Sequence, residues 1–421
     1  MASRFWLITV GEPVPLPGTR ERLLRTGVLA GHLARAGHQV TWWTSAVDHF
    51  RKRFHDIPAD PFPAEGGYDI RFLRGRLYRH NLSLDRLRNH REIARAFARE
   101  APTLPRPDLI LCSLPTIELS LAAVRFGQER GIPVLLDLRD PWPDVYYQML
   151  PRPLRRLGPL LFFPFVREAR LALSQATGLL AVSQAYLDWG LQLAGRGAGA
   201  HDQVITHGYP DPRPVTEAAR VKLAGELGVK PGMTVPWFVG SFAWHYDIGT
   251  VIDAARQLSA RSDLLFILTG AGDRDAEWRA RAAGLTNVRF TGWVDGETIA
   301  TLGRIATAGL VSYSPGAPMS LTNKLFEYMS TGLPLLLGLP GEAEAIVRQW
   351  DCGLVYRPGD AGDLARAITA LADDPALQAR LSANATRAFT SDFAESIIYP
   401  KFVARLEREA AGAPQPRTPR T

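Results

Sequence analysis

The chain has 421 residues, 46% of them hydrophobic and 22% charged, which exceeds one ordinary core, so two domains are the default and each can bury a sizeable interior. Its two cysteines, Cys112 and Cys352, lie inside apolar runs, which excludes a disulfide framework and points to buried thiols in a reducing compartment. The formal charge of +7 is lopsided: residues 1–210 hold 27 Lys/Arg against 19 Asp/Glu and the remainder 22 against 23, so the basic character sits in the first half.

The first apolar run, "FWLITV" (5–10), is too short for a signal peptide and breaks at Gly11-Glu12-Pro13, as a first buried strand would. Strands are then predicted at "QVTWWTS" (39–45), "DIRFLR" (69–74), "DLILCS" (108–113), "PVLLDL" (133–138), "GLLAVS" (178–183) and "QVITH" (203–207). "GYPDPRPVTE" (208–217) follows, with three prolines in ten residues, the composition of a short semi-rigid hinge. The second half repeats the alternation at "VPWFVG" (235–240), "LLFILTG" (264–270), "VRFTGW" (288–293), "AGLVSYS" (308–314), "LPLLLGL" (333–339) and "GLVY" (353–356). Helical segments near 361–372, 375–389 and 392–409 close the chain, and "AGAPQPRTPRT" (411–421) has no periodicity and is expected to be a disordered tail. Continuous apolarity, where a half-exposed strand would alternate, implies parallel strands covered on both faces, hence α/β architecture with two doubly wound, Rossmann-like domains. No apolar stretch reaches the roughly 18–20 residues of a spanning helix. "LGPLLFFPFV" (157–166) comes nearest and carries two prolines, so a soluble or peripheral protein is expected.

"SLTNKLFEYMSTGLP" (320–334) stands between the strand "AGLVSYS" and the buried "LPLLLGL", so its helix must open at the strands' carboxyl edge. Free amides of its first turn, reinforced by the helix dipole, make an anion site there. Ser320, Thr322 and Asn323 can cap it or donate to an oxyanion, and Lys324 adds a full positive charge suited to phosphate. Glu327, one turn on, can accept two hydrogen bonds from a vicinal diol, so the two grips together describe a nucleoside diphosphate. An ordinary i, i+3 surface ion pair would use the same two residues. Three strands end in glycine-bearing edges, at Gly240, at Gly270 and in "NVRFTGWVDGETIATL" (287–302), where glycine lets a backbone approach a ligand closely. Gly270-Ala-Gly272 has no third glycine at dinucleotide-fingerprint spacing.

"FVGSF…DIGTVIDAA", "FILTGAGDRDAEW", "VRFTGWVD" and "SLTNKLFEYMSTGLPLL", in that order, resemble the donor domain of family 4 glycosyltransferases, the retaining enzymes of the GT-B fold. "GHLARAGHQVTWWTS" and "GLLAVSQAYLDWG" in the first half are similar to the same family, in its surface-polysaccharide subgroup. The resemblance implies an acceptor domain over 1–209 and a nucleotide-sugar donor domain over 210–391, facing a central cleft. It also implies a C-terminal helix, 392–410, that crosses back to the N-domain. It puts the nucleotide ribose on Glu327, the diphosphate on the backbone of Ser320, Leu321, Thr322 and Asn323, and the base near Trp293 and Val294. Gly240, Ser241 and Gly270 line the donor, and Gly11 lies near the sugar and acceptor. The chain departs from the family at Met319, where many members carry a second glutamate. Many also place Arg and Lys after the glycine of the first donor-domain strand, where Ser241 follows Gly240 and Tyr246 and Asp247 occupy the lysine's neighbourhood, and Ser113 stands where a histidine is frequent. Lys324 is expected to supply the phosphate charge those positions lack.

Retaining transfer without a covalent intermediate needs mainly a stabilised leaving diphosphate, which Lys324 would supply. Asp140, in "LLDLRDPWPD", ends a strand and is placed to orient the acceptor hydroxyl. The rival reading of Asp137 and Asp140 as a metal pair leaves a cation little to do once lysine and amides neutralise the phosphates, so no metal and no cofactor is expected, with a UDP-sugar favoured over a GDP-sugar as donor. Two basic stretches remain. "RFLRGRLYRHNLSLDRLRNHREIARAFARE" (71–100) would suit an anionic partner or be a solvated arginine-rich face. "LPRPLRRLGPLLFFPFVREARLAL" (150–173) mixes arginines with phenylalanines and reads as a membrane-surface element or a buried helix wall. The expected protein is a cytoplasmic hexosyltransferase, at the inner face of the membrane if 150–173 docks there, acting on a glycan or glycolipid acceptor and not on nucleic acid. A sugar-nucleotide 2-epimerase of the same fold and a non-catalytic nucleotide-sugar-binding protein are the alternatives.

Overall fold

Trp6, Trp43, Phe97 and Phe126 explain why the first half folds: their rings interlock, Trp6 on Phe126 at 5.6 Å and Trp43 on Phe97 at 5.2 Å. A fully buried phenylalanine such as Phe97 contributes about 3 kcal/mol. The computed structural model describes residues 2–19, 22–80, 83–147, 150–317 and 319–412; most of the tail assigned to 411–421 lies outside them.

Two units divide the chain, residues 1–206 with 399 onward, and residues 207–398. The first holds β1 (Arg4–Ile8), β2 (Gln39–Ser45), β3 (Val47–Asp48), β4 (Arg53–Phe54), β5 (Phe62–Ala64), β6 (Tyr68–Leu73), β7 (Leu109–Leu114), β8 (Val134–Leu138), β9 (Gly178–Ala181) and β10 (Gln203–Val204). Its sheet runs in the order β10-β9-β8-β7-β1-β2-β6-β5, and β3 pairs with β4 apart from it. Only β5 runs antiparallel in that sheet, against β6. β3, β4 and β5 were not expected: each has three residues or fewer, too short to show a period. The helix Glu395–Ala411 contributes its last turns to this unit. There Glu409 accepts from His201 at 2.8 Å and pairs with Arg405 at 2.7 Å, while Glu407 meets His38 at 2.9 Å.

The second unit holds β11 (Pro236–Val239), β12 (Phe266–Thr269), β13 (Val288–Gly292), β14 (Ala308–Ser312), β15 (Leu335–Gly338) and β16 (Gly353–Val355). All six are parallel, in the order β13-β12-β11-β14-β15-β16. The outgoing hinge and the returning chain lie side by side within it: Tyr209 N–H donates to Phe393 O at 2.9 Å, and Glu395 N–H to Tyr209 O at 2.7 Å. One free cysteine is buried in each unit, Cys112 and Cys352, and burial pushes both thiols up to about 12. No helix among the described residues is long and apolar enough to cross a membrane.

Candidate active site

In a doubly wound sheet, ligands settle beyond the carboxyl ends of the strands where the winding reverses. In the second unit that point lies between β11 and β14, and the helix Asn323–Ser330 follows β14 directly. Thr322 caps it, its Oγ1 accepting from the Lys324 amide at 3.1 Å, and Gly332, at φ +73°, ends it. Tyr328 pins the helix over the switch point, because its hydroxyl accepts from Val239 N–H at 3.0 Å and donates to Leu310 O at 3.4 Å. Gly309 makes room for that ring; any Cβ there would strike it. The helix mouth is thus tied to both central strands.

Lys324 is buried, and its ammonium lies over two aromatic faces, 4.2 Å from the centre of Tyr246 and 5.0 Å from that of Phe238. A Cβ on Gly240 would meet that ammonium and push the lysine aside. Burial pushes the Tyr246 phenol up, yet the Lys324 charge, with hydrogen bonds from Tyr313 and Lys324, outweighs burial and leaves it below the ordinary tyrosine value. Burial and the same charge bring His245 down to about 4, so its imidazole is neutral at pH 7. This aromatic nest was missed in the sequence. Its signal was Tyr246 standing where a basic residue was sought, together with a lysine arriving at the same place from another helix.

The other expected donor residues fall into three groups. Glu327 is half-buried one turn beyond Lys324, while Asn323 and Ser241 are exposed at the mouth. Ser320 is buried and donates to Glu342 at 3.1 Å, so its hydroxyl is committed to a neighbouring helix, and Leu321 is a core residue with only its backbone available. Trp293 is 78% exposed beside half-buried Val294. Two of the three glycine edges, at Gly240 and Gly270, have a packing reason of their own, while Gly292 faces open space at φ +71°. Gly240 N–H donates to Thr269 O at 3.0 Å and Gly270 N–H to Gly292 O at 2.9 Å, which staples each edge to the next. Gly270, at φ +142°, lacks a Cβ because the Gly240 carbonyl occupies that space. A groove bordered by Arg4, His38, Tyr68 and Arg71 lies at the amino edge of the first unit's sheet, away from that sheet's own switch point.

The first unit reverses its winding between β1 and β7, and there it places Gly11 and Asp140 on loops at the carboxyl edge. Gly11 has φ +87°, which favours glycine. Burial raises the Asp140 carboxyl to about 6, with Arg139 pulling the other way. Beneath these loops lies a buried ion network that sequence reasoning missed. Arg139 pairs with Glu12 and, at 2.8 Å, with Asp137; Arg25 grips Asp137 at 3.0 and 3.1 Å and donates to the carbonyls of Ile205 and Thr206, both at 2.9 Å. Glu12 also accepts from Thr26 N–H at 3.0 Å, and Thr26 Oγ1 leads through Thr9 to Ser113 in steps of 2.8 Å. Burial pushes Asp137 up, but the two guanidinium groups win and hold it at about 2. Asp137 is therefore an anchor whose oxygens face arginines, which removes it from the metal pair weighed with Asp140. Glu12 adjoins Gly11 and Arg139 adjoins Asp140, so one ion pair fixes the two loops to each other.

Comparison with known proteins agrees with this architecture. The "Glycosyl transferase 4-like domain" family model matches residues 24–199, and the "Glycosyl transferases group 1" model matches residues 234–374. A curated relative, the alpha-D-kanosaminyltransferase of Streptomyces kanamyceticus, is 28% identical over 174 residues, 40% of this chain and 44% of that protein, so the match spans less than half the relative's length. Among solved structures, HepE of Anabaena in complex with UDP is 18% identical at a TM-score of 0.70, covering 96% of this chain and all of the other. Sucrose-phosphate synthase of Thermosynechococcus elongatus is 17% identical at 0.75, covering 98% of this chain and all of the other. Those two likenesses concern the fold, which is GT-B. With one family model on each unit and two parallel-sheet Rossmann-like domains beneath them, the chain belongs with the GT-B glycosyltransferases of the group 1 and 4-like type.

Proposed function

We propose that the protein transfers a sugar from a nucleoside diphosphate donor, a UDP-sugar before a GDP-sugar, to a glycan or lipid-linked glycan, with retention of configuration and without a metal. The observation that carries this is the buried Lys324 ammonium at the mouth of a capped helix on the switch point of the second unit. The diphosphate is assigned to Lys324 and the amides of the first helical turn, where developing negative charge on the leaving group meets a fixed cation in a poorly hydrated setting. Glu327 is assigned the ribose diol, and Trp293 with Val294 the base. Gly240, Ser241 and Gly270 shape the backbone around it. In the first unit, Asp140 is assigned the acceptor hydroxyl and Gly11 the close approach of the sugar. Surface-polysaccharide assembly on the cytoplasmic face of the membrane fits the exposed Leu154, Leu157, Leu160, Leu161 and Phe163, which stand in sequence beside exposed Arg155 and Arg156 in 150–173.

Incubation with a panel of UDP- and GDP-sugars in EDTA tests the reading. Slow release of UDP, with the anomer of the first-formed sugar unchanged by NMR, is expected. Interconversion of sugars without nucleotide release would mean an epimerase, and binding without turnover a nucleotide-binding protein.

Asp140 adds a pH signature. Its carboxyl is raised to about 6 by burial, so the carboxylate that orients a hydroxyl is present above that pH and the transfer rate should climb through pH 6. A folded-state value above the unfolded one means the proton stabilises the fold, a contribution present below about pH 4 and lost as pH rises through 6. Asp140→Asn should therefore flatten the rate profile at a low level, and its melting temperature should gain on the wild type at pH 8 relative to pH 4. An unaltered profile would remove Asp140 from the reaction.

A further inference from the structure

The basic stretch 71–100 has no part in the donor site, yet the fold brings its centre to the carboxyl edge of the first unit beside Gly11. The loop between β3 and β4 folds back on Asp48, whose Oδ1 accepts from Phe50 N–H at 2.9 Å and Arg51 N–H at 3.0 Å. Lys52 closes that turn at φ +55°; with Asp351, it is one of two non-glycine residues at positive φ among the described residues. Such a backbone is strained in a residue with a Cβ. The turn carries the Lys52 ammonium to the His49 carbonyl and to 5.2 Å from the centre of the Tyr78 ring. From the other side, the helix Leu84–Glu100, capped by Ser83, presents Arg86 at 5.9 Å from the same ring and 5.2 Å from that of Trp142. The Tyr78 hydroxyl meets His49 Nδ1 at 2.7 Å, and the His49 ring lies 3.6 Å from where a Cβ on Gly11 would stand.

Two cations thus converge on one tyrosine. Burial and then Arg86 hold Lys52 below the ordinary lysine range, with Asp48 opposing, and burial and then the same two cations bring His49 down to about 3. Of the carboxylates nearby, Asp48 is itself engaged by Arg51 at 3.1 Å, and burial raises Glu118, near Arg86, to about 7. Like charges brought together at a partly buried, strained turn are stabilised when an anion joins them.

We propose that Lys52 and Arg86, with Tyr78 and His49, form an anion subsite in the first unit that takes the phosphate of a phosphorylated acceptor next to Gly11. The subsite rests on the reading that the first unit receives the acceptor. It narrows that acceptor to one bearing a phosphate or diphosphate, supplied either as a lipid-linked sugar or as a soluble sugar phosphate.

The test is calorimetry on the full chain saturated with UDP, titrated with geranyl diphosphate and with glucose 1-phosphate. At least one should bind, with affinity falling about tenfold in Arg86→Gln and in Lys52→Gln and with a smaller salt dependence in each, the size of one charged contact. Binding of geranyl diphosphate alone marks a lipid-linked source, and of glucose 1-phosphate alone a soluble one. UDP affinity should match the wild type in both variants. Lys52 sits on a surface loop, so its variant serves if Arg86→Gln unfolds. No binding by either probe, or binding that neither variant weakens, overturns the subsite. Failure of the wild type to bind UDP would instead strike the donor assignment and leave the probe titrations readable by themselves.

Discussion

Lys324→Met should weaken UDP binding by about 100-fold, or about 3 kcal/mol, the size expected when charged hydrogen bonds to a diphosphate are lost. Methionine keeps an aliphatic stem against Phe238 and Tyr246 while removing the ammonium, so the folded state should persist. Uridine, which has no phosphate, should bind variant and wild type alike, and this contrast isolates the charge from the pocket's shape. A second readout is local. Lys324 contributes to holding His245 at about 4, so its imidazole should titrate at higher pH in the variant, though still below an exposed histidine because burial remains. UDP affinity within twofold of wild type would leave the helix mouth without its assigned ligand.

Breaking the buried pair in the first unit should have the largest effect on stability. Glu12→Ala leaves the Thr26 amide unsatisfied away from water and the Arg139 guanidinium with Asp137, already shared with Arg25, as its remaining carboxylate, and losing one partner of such a pair typically costs about 3–5 kcal/mol. For a unit of this size that is a fall of about 10 °C in Tm for its transition, measurable by calorimetry. Arg139→Met should cost a similar amount, and Glu12→Leu with Arg139→Met less than the sum of the singles, because no uncompensated charge is left. Additive losses would mean the pair is not coupled. Asp137 provides the pH arm: with its carboxyl held at about 2, below its ordinary value, its stabilising contribution is present above about pH 4 and disappears as pH falls from 4 to 2.

The central strands were legible because each is buried on both faces and so reads as an unbroken apolar run; Leu109–Leu114 and Leu335–Gly338 show no exposed position at all. The helix mouth was legible for a local reason, since a capping threonine, a lysine and a glutamate fall within six residues, between two such strands. What was not legible depends on long-range neighbours. Phe238 and Tyr246 reach Lys324 from about 80 residues away in the chain, and Glu12 meets Arg139 across 127 positions. The glycines are ambiguous in a more specific way. A missing side chain at a strand end is consistent with an approaching ligand, but at Gly270 the chain itself supplies a close neighbour, the Gly240 carbonyl.

The two sealed cysteines have a practical consequence. With both thiols raised to about 12, almost no thiolate forms near neutral pH, and maleimides and mild oxidants will find little to attack on the native chain. A single cysteine introduced on the surface can then carry a fluorophore or spin probe with the native pair left in place, which gives spectroscopists a silent background in either half of the molecule.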